Sequence, residues 1–143
     1  MYIDTSALVK LYVDEADSEV CEAIVASRSL VSSRLLYCEF RSALLGKESR
    51  RIISQELRDE VWNRFESDIS DGLIRFASLN DSVIQDAQEL LSELHPRVSL
   101  RTLDAIHLAT YLGLETGPLF TKDHRMLKAA AFLGLPLASQ EDF

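Results

Sequence analysis

The chain of 143 residues has the length of one domain with one hydrophobic core, and 47% of its residues are apolar and 27% charged. This balance excludes intrinsic disorder, and no apolar run approaches the roughly 20 residues of a membrane span, so we expect no membrane partner. The formal net charge of −8 argues against a general nucleic-acid-binding protein, since such proteins are usually basic.

Short apolar strands alternate with helices along the chain. The patterns predict strands at 2–4, 30–32, 73–76 and 119–121, and an edge strand at 135–137. Helices are predicted at 6–13, 18–26, 33–53, 54–71, 80–95, 102–115 and 123–132. This alternation indicates a three-layer α/β/α fold with a small parallel sheet of about five strands, formed by a single domain over residues 1–143.

The two cysteines, Cys21 and Cys38, lie in helical patterns without the CxxC spacing of a metal or redox site. We predict that both are reduced thiols that fill core space. The N-terminus has no charged region followed by an apolar stretch, so no signal peptide is expected. Both observations favour a cytoplasmic protein.

Four carboxylates lie in largely apolar surroundings, namely Asp4, Glu39, Asp104 and Asp123. Asp4 ends the first predicted strand, and Asp123 follows the fourth. If those two strands are neighbours, both acids lie at the carboxyl edge where α/β sheets carry their sites. Buried carboxylates are costly unless they are paired or bound to a cation, and hard cations such as Mg²⁺ and Mn²⁺ prefer these ligands.

A structural explanation exists for three of these acids. Asp4, Asp104 and Asp123 each lie at a predicted helix start, where aspartate caps N–H groups or complements the helix dipole. Glu39 lies in mid-helix on a stripe without other charges, which argues against a non-catalytic binding or scaffolding domain. A phosphoacceptor receiver domain is a poor alternative, because it needs an adjacent acid pair where this chain has Thr5 and Ser6.

The sequence around each acid resembles a motif of a known family. Segment 1–12 reads MYIDTSALVKLY, segment 37–43 reads YCEFRSA, segment 103–109 reads LDAIHLA, and segment 120–123 reads FTKD. These motifs resemble those of PIN-domain nucleases, and the resemblance spans almost the whole chain. The length and the continuation ALVKLY are most similar to the VapC toxins of bacterial and archaeal toxin–antitoxin pairs.

The resemblance implies a Mg²⁺- or Mn²⁺-dependent endoribonuclease that forms a homodimer and binds a cognate antitoxin protein. Asp4, Asp104 and Asp123 would be metal ligands, and Glu39 would orient or deprotonate the attacking water. Phosphodiester hydrolysis suits this set, because a bound cation lowers the pKa of water and neutralises the phosphate. A housekeeping RNA-processing nuclease of the same fold stays open as an alternative.

Polar residues near the acids are candidates for supporting roles. Thr5, Ser6 and Thr121 can hydrogen-bond the carboxylates or a phosphate, and they can equally cap helices. His107 lies one turn after the third acid, and we interpret it as a packed helix residue rather than a catalytic base. Trp62 is likewise interpreted as part of a packed helix face.

Basic residues offer a way for an acidic protein to bind RNA. We predict that Lys122, Arg125 and Arg41 form a positive rim that contacts RNA phosphates beside the acids. Such contacts position a strand without reading its bases, so sequence preference would come from RNA shape or exposed loop bases.

Overall fold

The computed structural model describes residues 1–139, in which strands and helices alternate. The strands are β1 (Tyr2–Ile3), β2 (Leu30–Ser33), β3 (Ile74–Ala77) and β4 (Leu119–Phe120). The helices are α1 (Thr5–Tyr12), α2 (Ser18–Val25), α3 (Leu35–Ser49), α4 (Gln55–Ser70), α5 (Asp81–Leu94), α6 (Thr102–Leu112) and α7 (His124–Leu133). None of these helices is long and apolar enough to cross a membrane.

The strands form one parallel sheet in the order β3-β2-β1-β4. This confirms the predicted α/β fold, and the first and fourth strands are neighbours, the condition on which a shared edge for Asp4 and Asp123 depends. The predicted fifth strand at 135–137 is reduced to a single parallel bridge between Leu119 and Leu137. Pro136 has no N–H to donate, so the pairing does not extend along the segment.

The core lies in two layers, one on each face of the sheet. Consecutive strand residues point to opposite faces, so Ile3 packs with the helices of the first half and Tyr2 with those of the second. The first layer centres on Leu8, Phe40 and Phe65 of α1, α3 and α4. The second layer is built by α5, α6 and α7. Because helices cover both faces of the sheet, most strand residues are apolar.

Capping residues set several helix boundaries. The Oγ atom of Ser54 accepts the N–H of Leu57 at 3.1 Å and so begins α4, as predicted. The α3 helix is shorter than the predicted 33–53, since it ends at Ser49. Arg51, just beyond this end, has a left-handed backbone with φ of 58°.

The burial of the two cysteines differs. Cys21 is buried, as predicted, but Cys38 is exposed, so the prediction of a core thiol was wrong there. The core-facing stripe of α3 consists of Leu36, Phe40 and Leu44, and Cys38 lies on the opposite side of this helix. The packing interpretation of Trp62 is confirmed, because its ring contacts the aromatic rings of the first core layer.

Candidate active site

Asp4 follows β1 directly and is almost completely buried, with 4% of its surface exposed. Its Oδ1 atom accepts hydrogen bonds from the Ala7 N–H at 3.1 Å and the Ser6 hydroxyl at 2.7 Å. Its Oδ2 atom accepts a hydrogen bond from the Thr121 hydroxyl at 2.5 Å. Burial raises the pKa of Asp4 above its ordinary value, and the three donors oppose that rise. Asp4 therefore caps α1, and all of its hydrogen-bond donors are uncharged groups.

The segment after β4 is tied to the start of α1. Besides donating to Asp4, the Thr121 hydroxyl accepts the N–H of Asp123 at 3.1 Å. The Ser6 hydroxyl accepts the N–H of Lys122 at 2.8 Å. These contacts arise because β1 and β4 are parallel neighbours, so their carboxyl ends meet. Two predicted supporting residues, Ser6 and Thr121, thus lie where the sequence pattern expected them.

Asp123 forms the N-cap of α7 and faces the same edge. Its Oδ1 atom accepts the N–H groups of Arg125 at 2.8 Å and Met126 at 3.2 Å. Its Oδ2 atom accepts a hydrogen bond from the Arg101 guanidinium at 2.8 Å. One oxygen of Asp123 therefore caps α7, and the other pairs with the guanidinium of Arg101.

Arg101 bridges two of the four acids. Its Nε atom donates to Asp104 Oδ2 at 3.0 Å, and its Nη2 atom donates to Asp104 Oδ1 at 3.3 Å and to Asp123 Oδ2 at 2.8 Å. The Arg101 side chain is 59% exposed, whereas Asp104 is buried. The hydrogen bond from Arg101 to Asp104 raises the pKa of the guanidinium above its ordinary value.

The sequence pattern predicts that α6 starts at Thr102 and gives no role to Arg101, which precedes it. Arg101 is the N-cap, and its N–H donates to Asp104 Oδ2 at 3.1 Å. A basic residue three positions before a first-turn acid was the available signal, since such residues share one side of the helix start.

Glu39 is held by side chains from two other helices. Its Oε1 atom accepts a hydrogen bond from the Thr5 hydroxyl at 2.8 Å and also contacts His107 Nε2. On the far side of the ring, His107 Nδ1 lies 2.8 Å from the Tyr2 hydroxyl, which accepts the N–H of Ser33 at 3.1 Å. The Tyr2 hydroxyl is therefore placed to donate to Nδ1, which puts the proton of a neutral imidazole on Nε2, facing Glu39.

His107 is a packed helix residue, as predicted, with 3% of its surface exposed. Its contact with Glu39 was not predicted, because one turn of α6 separates it from Asp104 and nothing in the chain indicated a partner on α3. The buried ring connects the hydroxyl of Tyr2 to the carboxylate of Glu39. It limits the orientations that the carboxylate can adopt.

The predicted positive rim is not assembled as expected. The Lys122 ammonium pairs with Asp17 at 3.0 Å, in the segment that leads into α2. The Arg41 guanidinium lies 5.0 Å from the ring centre of Trp62, and its buried Nη1 atom has no hydrogen-bond partner among residues 1–139. Arg125, by contrast, is exposed next to Asp123. Two of the three rim residues, Lys122 and Arg41, thus interact with other side chains of the protein.

Among the described residues, no group of three or more His, Cys, Asp and Glu side chains that could hold a metal ion is assembled. The three predicted ligands, Asp4, Asp104 and Asp123, do not form such a group, and the guanidinium of Arg101 lies against two of them. The donor set nevertheless suits a hard cation, because all three side chains offer carboxylate oxygens, the ligands that such ions prefer. Mg²⁺ in particular is usually held by one or two carboxylates together with water and substrate phosphate.

Comparisons with known proteins agree with this geometry. Residues 1–133 match the family model of the PIN domain. The chain is 35% identical over 143 residues to Ribonuclease VapC46 of Mycobacterium tuberculosis, a match that covers 94% of this chain and 93% of that protein. The crystal structure of Mycobacterium tuberculosis VapC20, a toxin that cleaves the sarcin–ricin loop, superposes with a TM-score of 0.72 over 96% of this chain and 98% of that one. At 15% identity the latter likeness concerns the fold alone. The chain therefore belongs to the PIN-domain family, with VapC proteins among its relatives.

Proposed function

We propose that this protein is a Mg²⁺- or Mn²⁺-dependent endoribonuclease and the toxin of a type II toxin–antitoxin pair. The observation that carries the proposal is that Asp104 and Asp123 share the guanidinium of Arg101 beside the carboxyl ends of β1 and β4, where neutral donors hold Asp4. The kinship with a VapC ribonuclease supports RNA as the substrate and the toxin role. A cognate antitoxin, a homodimer and a cytoplasmic location are parts of the same proposal.

Asp4 and Asp104 are the proposed principal metal ligands, with Asp123 as a further ligand, direct or through water. Asp104 and Asp123 are already shared by the Arg101 guanidinium, so their oxygens face a common point. Asp4 accepts its hydrogen bonds from uncharged groups, which leaves its negative charge to be compensated from outside. When bound, the cation would lower the pKa of a water molecule and neutralise charge on the phosphate.

Glu39 is the proposed base that orients or deprotonates the attacking water. Thr5 and His107 both contact Oε1, which leaves Oε2 to accept a proton from water. Thr5 and His107 are then positioning residues, because they act on the reaction through Glu39. Glu39 lies within α3 rather than at its start, which argues against the alternative of a domain whose acids only cap helices.

Purified protein provides the first test. We expect it to cut RNA internally in Mg²⁺ or Mn²⁺, and we expect the Asp104→Asn variant to lose this cleavage while it stays folded. The matched control is Asp59→Asn, which removes an exposed acid that pairs with Arg58 on α4, a helix that carries none of the proposed site residues. Equal cleavage by wild type and Asp104→Asn would exclude the proposed site.

Expression in a bacterial host tests the toxin role separately. Wild type should arrest growth, and Glu39→Gln should relieve the arrest because the change removes one charge at nearly constant volume. Normal growth with abundant, active wild-type protein would favour the housekeeping nuclease instead.

A further inference from the structure

A cleft of about 440 Å³ opens beside the acids. Its walls come from the loop between α5 and α6 and from the first turns of α7. Arg97 and Ser99 line it on the loop side, and His124, Arg125 and Lys128 line it on the helix side. We call this feature the basic cleft.

The basic cleft has a charge opposite to that of the whole chain. The formal net charge of the protein is −8, yet no acidic residue lines this cleft. Arg97, Arg125 and Lys128 are exposed, and within residues 1–139 none of them forms an ion pair. Neighbouring cations without counter-ions repel one another, so this surface favours an anion.

The same two chain segments that line the cleft also hold the acids. Ser99 lies two residues before Arg101, whose guanidinium contacts Asp104 and Asp123. On the other wall, the N–H of Arg125 donates to Asp123 at 2.8 Å. Asp123 therefore lies at the edge of the cleft. A polyanion that occupies the cleft therefore runs next to the proposed reaction centre.

An aromatic residue accompanies the cations. The Arg97 guanidinium lies 5.6 Å from the ring centre of Phe132, and Phe132 is 48% exposed. Cations combined with exposed aromatic rings are typical of surfaces that bind single-stranded nucleic acid, because unpaired bases stack on the rings.

We propose that the basic cleft binds the sugar–phosphate backbone of RNA next to the cleaved bond. Arg97, Arg125 and Lys128 are the proposed phosphate contacts, and Phe132 provides a surface for an unpaired base. The inference rests on the proposed function and corrects the predicted rim, since it keeps Arg125 and replaces Lys122 and Arg41 with Arg97 and Lys128. Contacts to phosphate position the strand without reading its sequence.

The test is the binding of a labelled single-stranded RNA to the full chain, measured over a range of salt in Ca²⁺ to suppress cleavage. We expect Arg97→Ala and Lys128→Ala each to weaken binding several-fold. Each should also lower the slope of log affinity against log salt by roughly 0.7, the value for one lost contact to a single strand. Arg97→Lys keeps the charge and should retain most of the slope.

The control is Arg50→Ala, which removes an exposed arginine after α3, outside the cleft. The proposal would be overturned if both cleft variants kept the wild-type affinity and slope, or if only Arg50→Ala weakened binding. In either case, RNA cleavage by the wild type would leave the proposed function intact. Tighter binding of a polyglutamate peptide than of RNA, with the same dependence on Arg97 and Lys128, would instead identify an acidic protein partner. A wild-type protein that neither binds nor cleaves RNA would overturn the proposed function and the cleft together.

Discussion

Two groups of acidic residues in this protein are compensated in different ways. Glu15 and Asp17 form the lysine-paired group: Glu15 contacts Lys10 at 2.7 Å and Lys47 at 2.6 Å, and Asp17 contacts Lys10 at 2.6 Å and Lys122 at 3.0 Å. Each of these carboxylates has two ammonium partners, so the group is electrically satisfied within the chain. It joins the segment before α2 to α1, α3 and the segment after β4.

The acids of the proposed site have few cationic partners. Asp4 is held by two hydroxyls and a backbone N–H, and Glu39 by a hydroxyl and an imidazole. Only Arg101 brings a permanent positive charge to this group in residues 1–139. The two groups therefore differ in what we expect them to bind: the lysine-paired acids have their cations already, and the site acids are the proposed ligands of a cation from solution.

Asp17 and Asp4, one acid from each group, have pKa values displaced from the ordinary value in opposite directions. Hydrogen bonds from Lys10 and Lys122 lower the pKa of Asp17 to about 2, whereas burial raises the pKa of Asp4. Asp17, which ionises easily, belongs to a group of ion pairs that joins parts of the fold. Asp4, which is costly to ionise, lies in the proposed active site.

The largest expected difference between the groups is catalytic. Glu39→Gln should lower the rate of RNA cleavage by about 10²–10⁴-fold, the usual contribution of a general base. Glu15→Gln, the same change in the lysine-paired group, should leave the rate nearly unchanged. Single-turnover cleavage in Mn²⁺ measures both, and similar rates for wild type and Glu39→Gln would remove Glu39 from the mechanism.

Metal binding provides the next largest contrast. Mn²⁺ at a hundred times its Kd should stabilise the wild type by about 2.7 kcal/mol, because the ion binds only the folded state. Asp104→Asn should lose this gain, and Asp17→Asn should keep it. Thermal unfolding with and without Mn²⁺ decides the matter, and an undiminished shift in Asp104→Asn would mean that the ion binds elsewhere.

The partners of the two groups should differ in their effect on stability. His107→Phe removes a buried partner from both Glu39 and the Tyr2 hydroxyl, so we expect it to cost about 1–3 kcal/mol in free energy of unfolding. Lys10→Met removes a partner from Glu15 and Asp17 near the surface, where ion pairs contribute only about 0–1 kcal/mol each. Urea unfolding measures both, and a greater loss for Lys10→Met would reverse the comparison.

The smallest effect is a pH dependence of stability. Asp17 has a folded-state pKa of about 2 against an ordinary 3.8, so its contribution is present above 3.8 and is lost as the pH falls toward 2. Asp4 has the opposite sign, since its pKa is raised: its contribution is present below 3.8 and is lost as the pH rises through the higher folded value.

The urea midpoint of wild type minus that of Asp17→Asn should therefore be constant above pH 3.8 and shrink below it. The urea midpoint of wild type minus that of Asp4→Asn should be constant below pH 3.8 and should decrease as the pH rises above it. A flat difference for both variants would show that neither carboxyl titrates abnormally in the folded protein.

Local sequence was sufficient to predict the strands, most helix starts and the position of each acid. Capping depends on a few consecutive residues, as at Ser54, and strands of two to four apolar residues are visible as short runs. The carboxyl-edge placement of Asp4 and Asp123 followed from the strand order, which the structure confirms. The fifth strand was overestimated, because a run of apolar residues does not reveal that Pro136 interrupts the pairing.

Side-chain partnerships across long stretches of chain could not be predicted in this way. Glu39 and His107 are 68 residues apart, and Lys122, which was predicted to contact RNA, pairs with Asp17 instead. The first partnership depends on how α3 and α6 meet, and the second on how the segment before α2 lies against the segment after β4. The same is true of the basic cleft, whose two walls are brought together only by the docking of α7 beside the loop that precedes α6.

The sequence alone determined the family, the α/β architecture and the identity of the four acids, because motifs, periodicity and capping are encoded within a few neighbouring residues. The tertiary structure alone decided that Arg101 bridges Asp104 and Asp123, that a buried imidazole holds Glu39, and that three cations without ion pairs in residues 1–139 line one cleft. The physical reason is that charge compensation depends on distances of a few ångströms between side chains. Those distances are set by the packing of helices on the sheet, and no local pattern of residues specifies them.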